Sequence, residues 1–374
     1  MSKPTIQQVE TVLVDLPTIR AHQLAMTTMN VQTLVIVRLR CTDGIEGIGE
    51  ATTIGGLTYG EESPEGIKLA IDTYLAPALL GQDAQNINAA LGRMEKVARG
   101  NTFAKCALEN ALWDAQAKRL NMPLHQLLGG AVRDRLEVLW TLASGDTSKD
   151  IAEAEQLLAE RRHHTFKLKI GRRSVQQDVA HVAAIKHALG DRARVTVDVN
   201  QAWSESQAHV GVAALQDAGI DLIEQPLPRA NKIGLRRLSE RFNVPIMADE
   251  AVRGPDDAAE LLRLGAARVF ALKTMKTGGL VNLLRTAAVA DAGGVALYAG
   301  TMLEGSIATM AAAHAFATLP QLEWGSELFG PMLLKDDIVT ERPVYEEFSI
   351  GLPTAPGIGV QIDEDKLKFY QRKN

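Results

Sequence analysis

Apolar residues fall into two rhythms along this chain. From about residue 137 onward, short apolar runs recur: EVLWTLA (137–143), FKLKI (166–170), RVTVDV (194–199), DLIE (221–224), PIMAD (245–249), VFALK (269–273), VALYAG (295–300) and LEWGSE (322–327). Each has strand length. Between them lie seven longer Ala- and Leu-rich segments with helical periodicity, such as SKDIAEAEQLLAERRHH and SVQQDVAHVAAIKHALG. Ser174 and Ser204 stand where N-caps belong, and Gly190 and Gly219 where helices end. Strand–helix alternation predicts βαβ units and a parallel sheet, and eight strands predict a closed barrel. After the eighth run, LFGPMLLKDDIVTERPVYEEF reads as irregular rather than helical. The expectation over residues 131–340 is an α/β fold, a (β/α)7β barrel.

Residues 1–130 pattern differently. TLVIVRLRCTDGIEGIGEAT reads as a hairpin turning at Thr42-Asp43-Gly44, and helical segments follow near 64–79, 85–98 and 103–120. Strands first and helices afterwards predict a separate α+β capping domain. Residues 341–374 end in GIGVQIDEDKLKFYQRKN, which is expected to return to that domain. The stretches RAHQLAMTTM (20–29) and TTIGGLTYGEES (52–63) are expected to be lid loops.

Composition narrows the class of partner. The 374 residues are 46% hydrophobic and 23% charged, ordinary for a globular chain with one large and one small domain. A net charge of −5 argues against nucleic acid or an anionic membrane as partner. No apolar run approaches the roughly 20 residues that span a bilayer. Cys41 and Cys106 have no metal-binding spacing, and two reduced thiols predict a cytoplasmic protein.

Candidate chemistry lies at the C-terminal ends of the strands, where barrel active sites form. The second run carries Lys167 and Lys169, which alternate onto one face. The third ends with Asp198 and Asn200, the fourth with Glu224, the fifth with Asp249 and Glu250, the sixth with Lys273 and the eighth with Glu327. A single carboxylate at such a place is often only a helix cap or an ion-pair partner. Asp198, Glu224 and Asp249, one βα unit apart with lysines on both sides, predict a site. Three carboxylates sharing a small space need a cation, and oxygen-only ligands favour Mg²⁺ or Mn²⁺. In a ring of eight, strands two and six oppose each other, so Lys169 and Lys273 approach a ligand from opposite faces. The cation and a second lysine are expected to lower a lysine pKa toward the range of acid–base work. Lys167 adds positive charge and is expected to bind a substrate carboxylate. This set suits proton transfer at the α-carbon of a metal-bound carboxylate.

The motifs KLK, DVN, EQP, ADE and ALKTMKTGG resemble the enolase superfamily, and among its branches the muconate-lactonising subgroup. Strand seven ends LYAG, without the histidine base of the mandelate-racemase branch. VDLPTIRAHQLAMTTM, GIGEATTIGGLTYG, GNTFAK, TLASGD, GTMLEGS and ELFGPMLL extend the likeness over essentially the whole chain. The resemblance implies closure of cis,cis-muconate to muconolactone in aromatic catabolism, through an enediolate stabilised by Mn²⁺ or Mg²⁺. It implies Lys169 as proton carrier, Lys273 as the opposing charge and Glu327 in the pocket wall, or else paired with Lys273. Asn200 and Glu250 would orient the metal ligands. Thr52, Ile54, Tyr59 and Phe329 would select the substrate. It also implies a small dicarboxylate substrate and a homo-oligomer, an octamer in the family. Thr274, Met275 and Thr277 depart from the smaller or apolar residues expected after Lys273. Chlorinated muconates, o-succinylbenzoate synthesis and dipeptide epimerisation stand as alternatives. SELFG lacks the Asp-x-Asp pattern of the dipeptide epimerases.

Overall fold

A computed structural model describes residues 3–23 and 27–373. Seven parallel strands form one sheet in chain order: Trp140–Leu142, Thr165–Lys169, Arg194–Asp198, Leu222–Glu224, Ile246–Ala248, Val269–Leu272 and Ala296–Ala299. The eighth expected strand shrinks to one residue. Ser326 bridges in parallel to Val138 on one side and to Ala299 on the other, and so closes the ring. Backbone hydrogen bonds hold the seam, among them Leu139 N–H to Ser326 O (2.9 Å) and Glu327 N–H to Ala299 O (2.8 Å). The first run also divides. Arg135–Glu137 pairs with Ser349–Gly351 in a small antiparallel sheet, and only Trp140–Leu142 joins the barrel.

The helices start where their caps dictate. Ser174 and Ser204 form full capping boxes with Gln177 and Gln207. Ser306–Ala317, between strands seven and eight, is buried on every face. Its N-terminus is held by the capping domain: Glu50 accepts from Gly305 N–H at 2.6 Å and from Ala308 N–H at 3.1 Å.

That domain is a three-stranded antiparallel sheet, Ile6–Gln23, Thr28–Cys41 and Glu46–Thr52, with helix Thr102–Arg119 across it. Gly47 and Gly49 allow the close approach. A Cβ on either would stand 1.9 and 2.0 Å from the Ala111 and Ala107 carbonyl oxygens of that helix. The strand Ile6–Gln23 was not foreseen as such. Pro17 lies within it, and proline is tolerated because this is an edge strand whose register shifts between Pro17 and His22. The expected loop 20–29 is therefore strand up to Gln23 and again from Thr28; its residues 24–26 lie outside the described residues. Residues 357–372 run beside the capping domain. Ile358 N–H donates to Asp114, and Arg372 pairs with Asp15 and Glu65. Among the described residues no helix is long and apolar enough to cross a membrane.

Candidate active site

Strand register builds the site. Lys169 is the register partner of Asp198, and Asp198 that of Glu224, so the three form one row across adjacent strands. Glu224 pairs with Met247, which places Asp249 two residues farther along and on the same side. Lys273 follows the sixth strand directly. Lys169 Nζ lies 2.6 Å from Asp198 Oδ2, and Lys273 Nζ lies 2.7 Å from Asp249 Oδ2. Asn200 donates to Asp198 through its backbone N–H (2.8 Å) and its amide (3.0 Å), and reaches Glu250 at 3.3 Å.

A narrow cavity opens at the barrel mouth. His22, Ile54 and Tyr59 line it from the capping domain; Lys169, Asn200, Lys273, Thr301, Leu303 and Glu327 line it from the barrel. Lys169 and Lys273 both border it.

Several expectations need correction. Lys167 is fully buried and sits between two carboxylates, Glu224 Oε2 at 2.6 Å and Glu327 Oε2 at 2.9 Å, with its ammonium 4.6 Å from the Tyr298 ring centre. It holds those acids in place and does not reach the cavity, so it is not a substrate-binding cation. Glu327 accordingly pairs with Lys167 rather than with Lys273. The lowering of lysine pKa is expected from a bound cation; the side chains by themselves act in the other direction. Burial works to lower Lys169, but Asp198 and Glu327 outweigh it and hold the ammonium above its ordinary value. The same balance, led against burial by Asp249, raises Lys273.

The lid residues also divide. Thr52 ends a strand and donates its hydroxyl to Thr33 O at 2.7 Å, so it belongs to the sheet. Tyr59 donates to Asp249 at 2.9 Å and accepts from Lys273 at 2.9 Å, which makes it part of the charged network. Phe329 packs on Trp140, ring centres 5.0 Å apart, outside the cavity lining. Thr274, Met275 and Thr277 are buried in the short turn Thr274–Thr277, and Met275 Sδ accepts from Thr52 N–H, facing the capping sheet.

Three residues escaped the sequence reading. Lys276 lies under Asp249, bonded to its Oδ1 and backbone oxygen and to Ala271 O. Gln225, in the left-handed region at φ +35°, accepts from Asp249 N–H and Ala251 N–H through Oε1. His22 lines the cavity. Spacing revealed carboxylates at strand ends, but the placement of these three is set only by folding.

The donor set fits a hard divalent ion. Both Glu224 oxygens, Glu250 Oε2 and Asn200 Oδ1 are buried without a hydrogen-bond partner. Glu224 is ion-paired through Oε2, 2.6 Å from Lys167 Nζ. Five buried carboxylates (Asp198, Glu224, Asp249, Glu250, Glu327) face three buried lysines (Lys167, Lys273, Lys276) and the partly exposed Lys169. Burial and the neighbouring acids push Glu224 and Glu250 up, the response of carboxylates short of positive charge. As the side chains stand, among the described residues no three such groups converge on one point, because Asp198 and Asp249 lean on lysines.

A (β/α)7β barrel with a capping domain, opposed lysines and a row of oxygen donors at its mouth defines an enzyme of acid–base chemistry at carboxylate substrates. Family comparisons agree with that class. Residues 8–129 match the mandelate racemase / muconate lactonizing enzyme N-terminal domain, and residues 149–366 match the enolase C-terminal domain-like family. The chain belongs to this family. It is 58% identical to muconate cycloisomerase 1 of Pseudomonas putida over 100% of both chains. It is 45% identical to the chloromuconate cycloisomerase of Pseudomonas sp. strain P51, over 98% of this chain and 99% of that one. The structure of a muconate lactonizing enzyme from Pseudomonas fluorescens, complexed with muconolactone, superposes with a TM-score of 0.98 at 59% identity, covering 99% of this chain and 100% of that one.

Proposed function

We infer that the protein closes cis,cis-muconate to muconolactone, a muconate cycloisomerase activity. The observation that carries this reading is the pair Lys169 and Lys273 bordering one cavity beside the row Asp198, Glu224 and Asp249. The full-length similarity to muconate cycloisomerases supports it over chloromuconate closure, where identity is lower.

Enzymes of this family use a divalent metal, and Asp198, Glu224 and Asp249 would hold it here, Mn²⁺ before Mg²⁺. When bound, such an ion supplies positive charge to a substrate carboxylate and acidifies the adjacent α-carbon. Asn200 orients Asp198, while Gln225 and Lys276 fix Asp249. Lys169 delivers the proton to the α-carbon as the second carboxylate closes the ring. Lys273 offsets negative charge on the other side. Lys167 and Glu327 form the floor beneath Lys169.

Loss of muconate absorbance on adding purified protein and Mn²⁺ tests the reading. Silence with muconate, with turnover of a dipeptide or a chlorinated muconate alone, would reassign it. A cytoplasmic setting suits the two buried free thiols, Cys41 and Cys106, and a homo-oligomer, octameric as in the family, completes the proposal. Sedimentation of the purified protein checks the assembly.

A further inference from the structure

His22 is 1% exposed, and neither ring nitrogen has a hydrogen-bond partner. Among the described residues it is the cavity-lining side chain whose polar atoms all lack one. Tyr59 is bonded to Asp249 and Lys273, Thr301 to Glu304, Asn200 to Asp198, and Glu327 to Lys167. Nearby Arg20 is turned away, with Glu153 at 2.6 Å and the Thr141 carbonyl at 3.2 Å. Leaving a buried polar group unpaired is costly, because its lost hydration is not replaced. Such a group on a cavity wall is explained by a partner that arrives with the substrate.

The position says which part of the substrate that is. His22 comes from the capping domain, and the charged groups acting on it are Lys169, Arg20 and Glu327 rather than Asp198, Glu224 or Asp249. A dicarboxylate with one end at the row presents its other end to the capping wall. Resting on the function proposed above, we propose that His22 donates a ring N–H hydrogen bond to the substrate carboxylate farther from Asp198, Glu224 and Asp249, and so positions the carboxylate that closes the ring. The ring is suited to this. Burial, with Lys169 and Arg20 adding to it against Glu327, pushes its pKa down to about 3. The imidazole is therefore neutral and offers one donor without adding charge to a crowded site.

Calorimetric binding of two six-carbon probes to the Mn²⁺-loaded protein tests this without relying on turnover. Adipate carries both carboxylates and hexanoate one. Wild-type protein is expected to prefer adipate by about tenfold or more, the scale of one hydrogen bond to a charged group. His22→Phe should reduce that preference about tenfold while hexanoate affinity stays within about twofold. His22→Asn, which keeps a donor, should recover part of it, and circular dichroism checks that both variants fold. No preference in wild type, an unchanged preference in His22→Phe, or equal loss of both probes would each overturn the assignment. Muconate turnover by wild-type protein, measured separately, judges the proposed function on its own.

Discussion

Lys169 Nζ lies 2.6 Å from Asp198 Oδ2, and the two residues are register partners on adjacent parallel strands. The strand pairing itself thus fixes the amine beside the carboxylate row. Lys169 should be the residue that moves the proton. Lys169→Ala is expected to lower cyclisation by about 10²-fold or more, the scale of general acid–base catalysis. It should also abolish exchange of the muconolactone α-proton in D₂O, followed by NMR. Wild-type product should carry deuterium on one face of the α-carbon. Deuterium on both faces would show that Lys273 also transfers protons.

Removal of the ion is the second test. Chelation should abolish activity, and Mn²⁺ should restore it. Asp249→Asn should weaken Mn²⁺ binding measured by electron paramagnetic resonance. Full activity in a demonstrably metal-free sample would dispose of the assignment of Asp198, Glu224 and Asp249 as ligands.

Substrate choice should respond more to Ile54 than to Phe329. Ile54 borders the cavity, whereas Phe329 acts through Trp140. Ile54→Val should change the rate ratio between muconate and chloromuconate by roughly tenfold, within the range of pocket-shape effects. Equal effects on both substrates would mark Ile54 as a packing residue.

Gly300 directly follows the seventh strand. A Cβ there would come 2.8 Å from Lys273 Cε and 2.9 Å from its Cγ. Gly300→Ala should displace the ammonium and lower kcat by about tenfold or more, since small misplacements of catalytic groups are costly. Its melting temperature should change little. Unaltered kcat would show that Lys273 has room to adjust.

Glu50 predicts a pH effect on stability. Burial, reinforced by Asp337, raises its pKa to about 8, against the opposing pull of its two backbone donors. The folded state therefore holds a proton that the unfolded chain, with a carboxyl near 4.5, releases. Stability from this group is fully present below about pH 4.5 and declines as pH rises toward 8. Relative to wild type, Glu50→Gln should gain stability progressively between pH 5 and 8 in urea unfolding. A pH-independent difference would contradict the raised pKa.

The barrel was legible because its alternation repeats, and most of the charged row because each member occupies the end of a strand. Depth was not legible. Period-2 alternation places Lys167 and Lys169 on one face but does not say that Lys167 lies beneath, sealed between Glu224 and Glu327. Lys276 stood in a quoted motif yet gained its role only when a helical turn set it under Asp249. Pro17 disguised an edge strand, since proline argues against a strand until the edge is known. His22 had no local signal, because its significance is a missing partner.

The single-residue seam at Ser326 has a consequence for the order of assembly. Val138 opens the barrel and Ser326 nearly ends it, so the ring closes only after almost the whole barrel has been synthesised. Glu327, the next residue, brings Lys167 its second carboxylate. Until then the nascent barrel carries a buried lysine with half its compensation and an open sheet edge at Trp140–Leu142. Contacts of such long sequence separation slow folding because loop-closure entropy must be offset before they form. Closure of the ring and completion of the charged floor therefore depend on the same two neighbouring residues, Ser326 and Glu327.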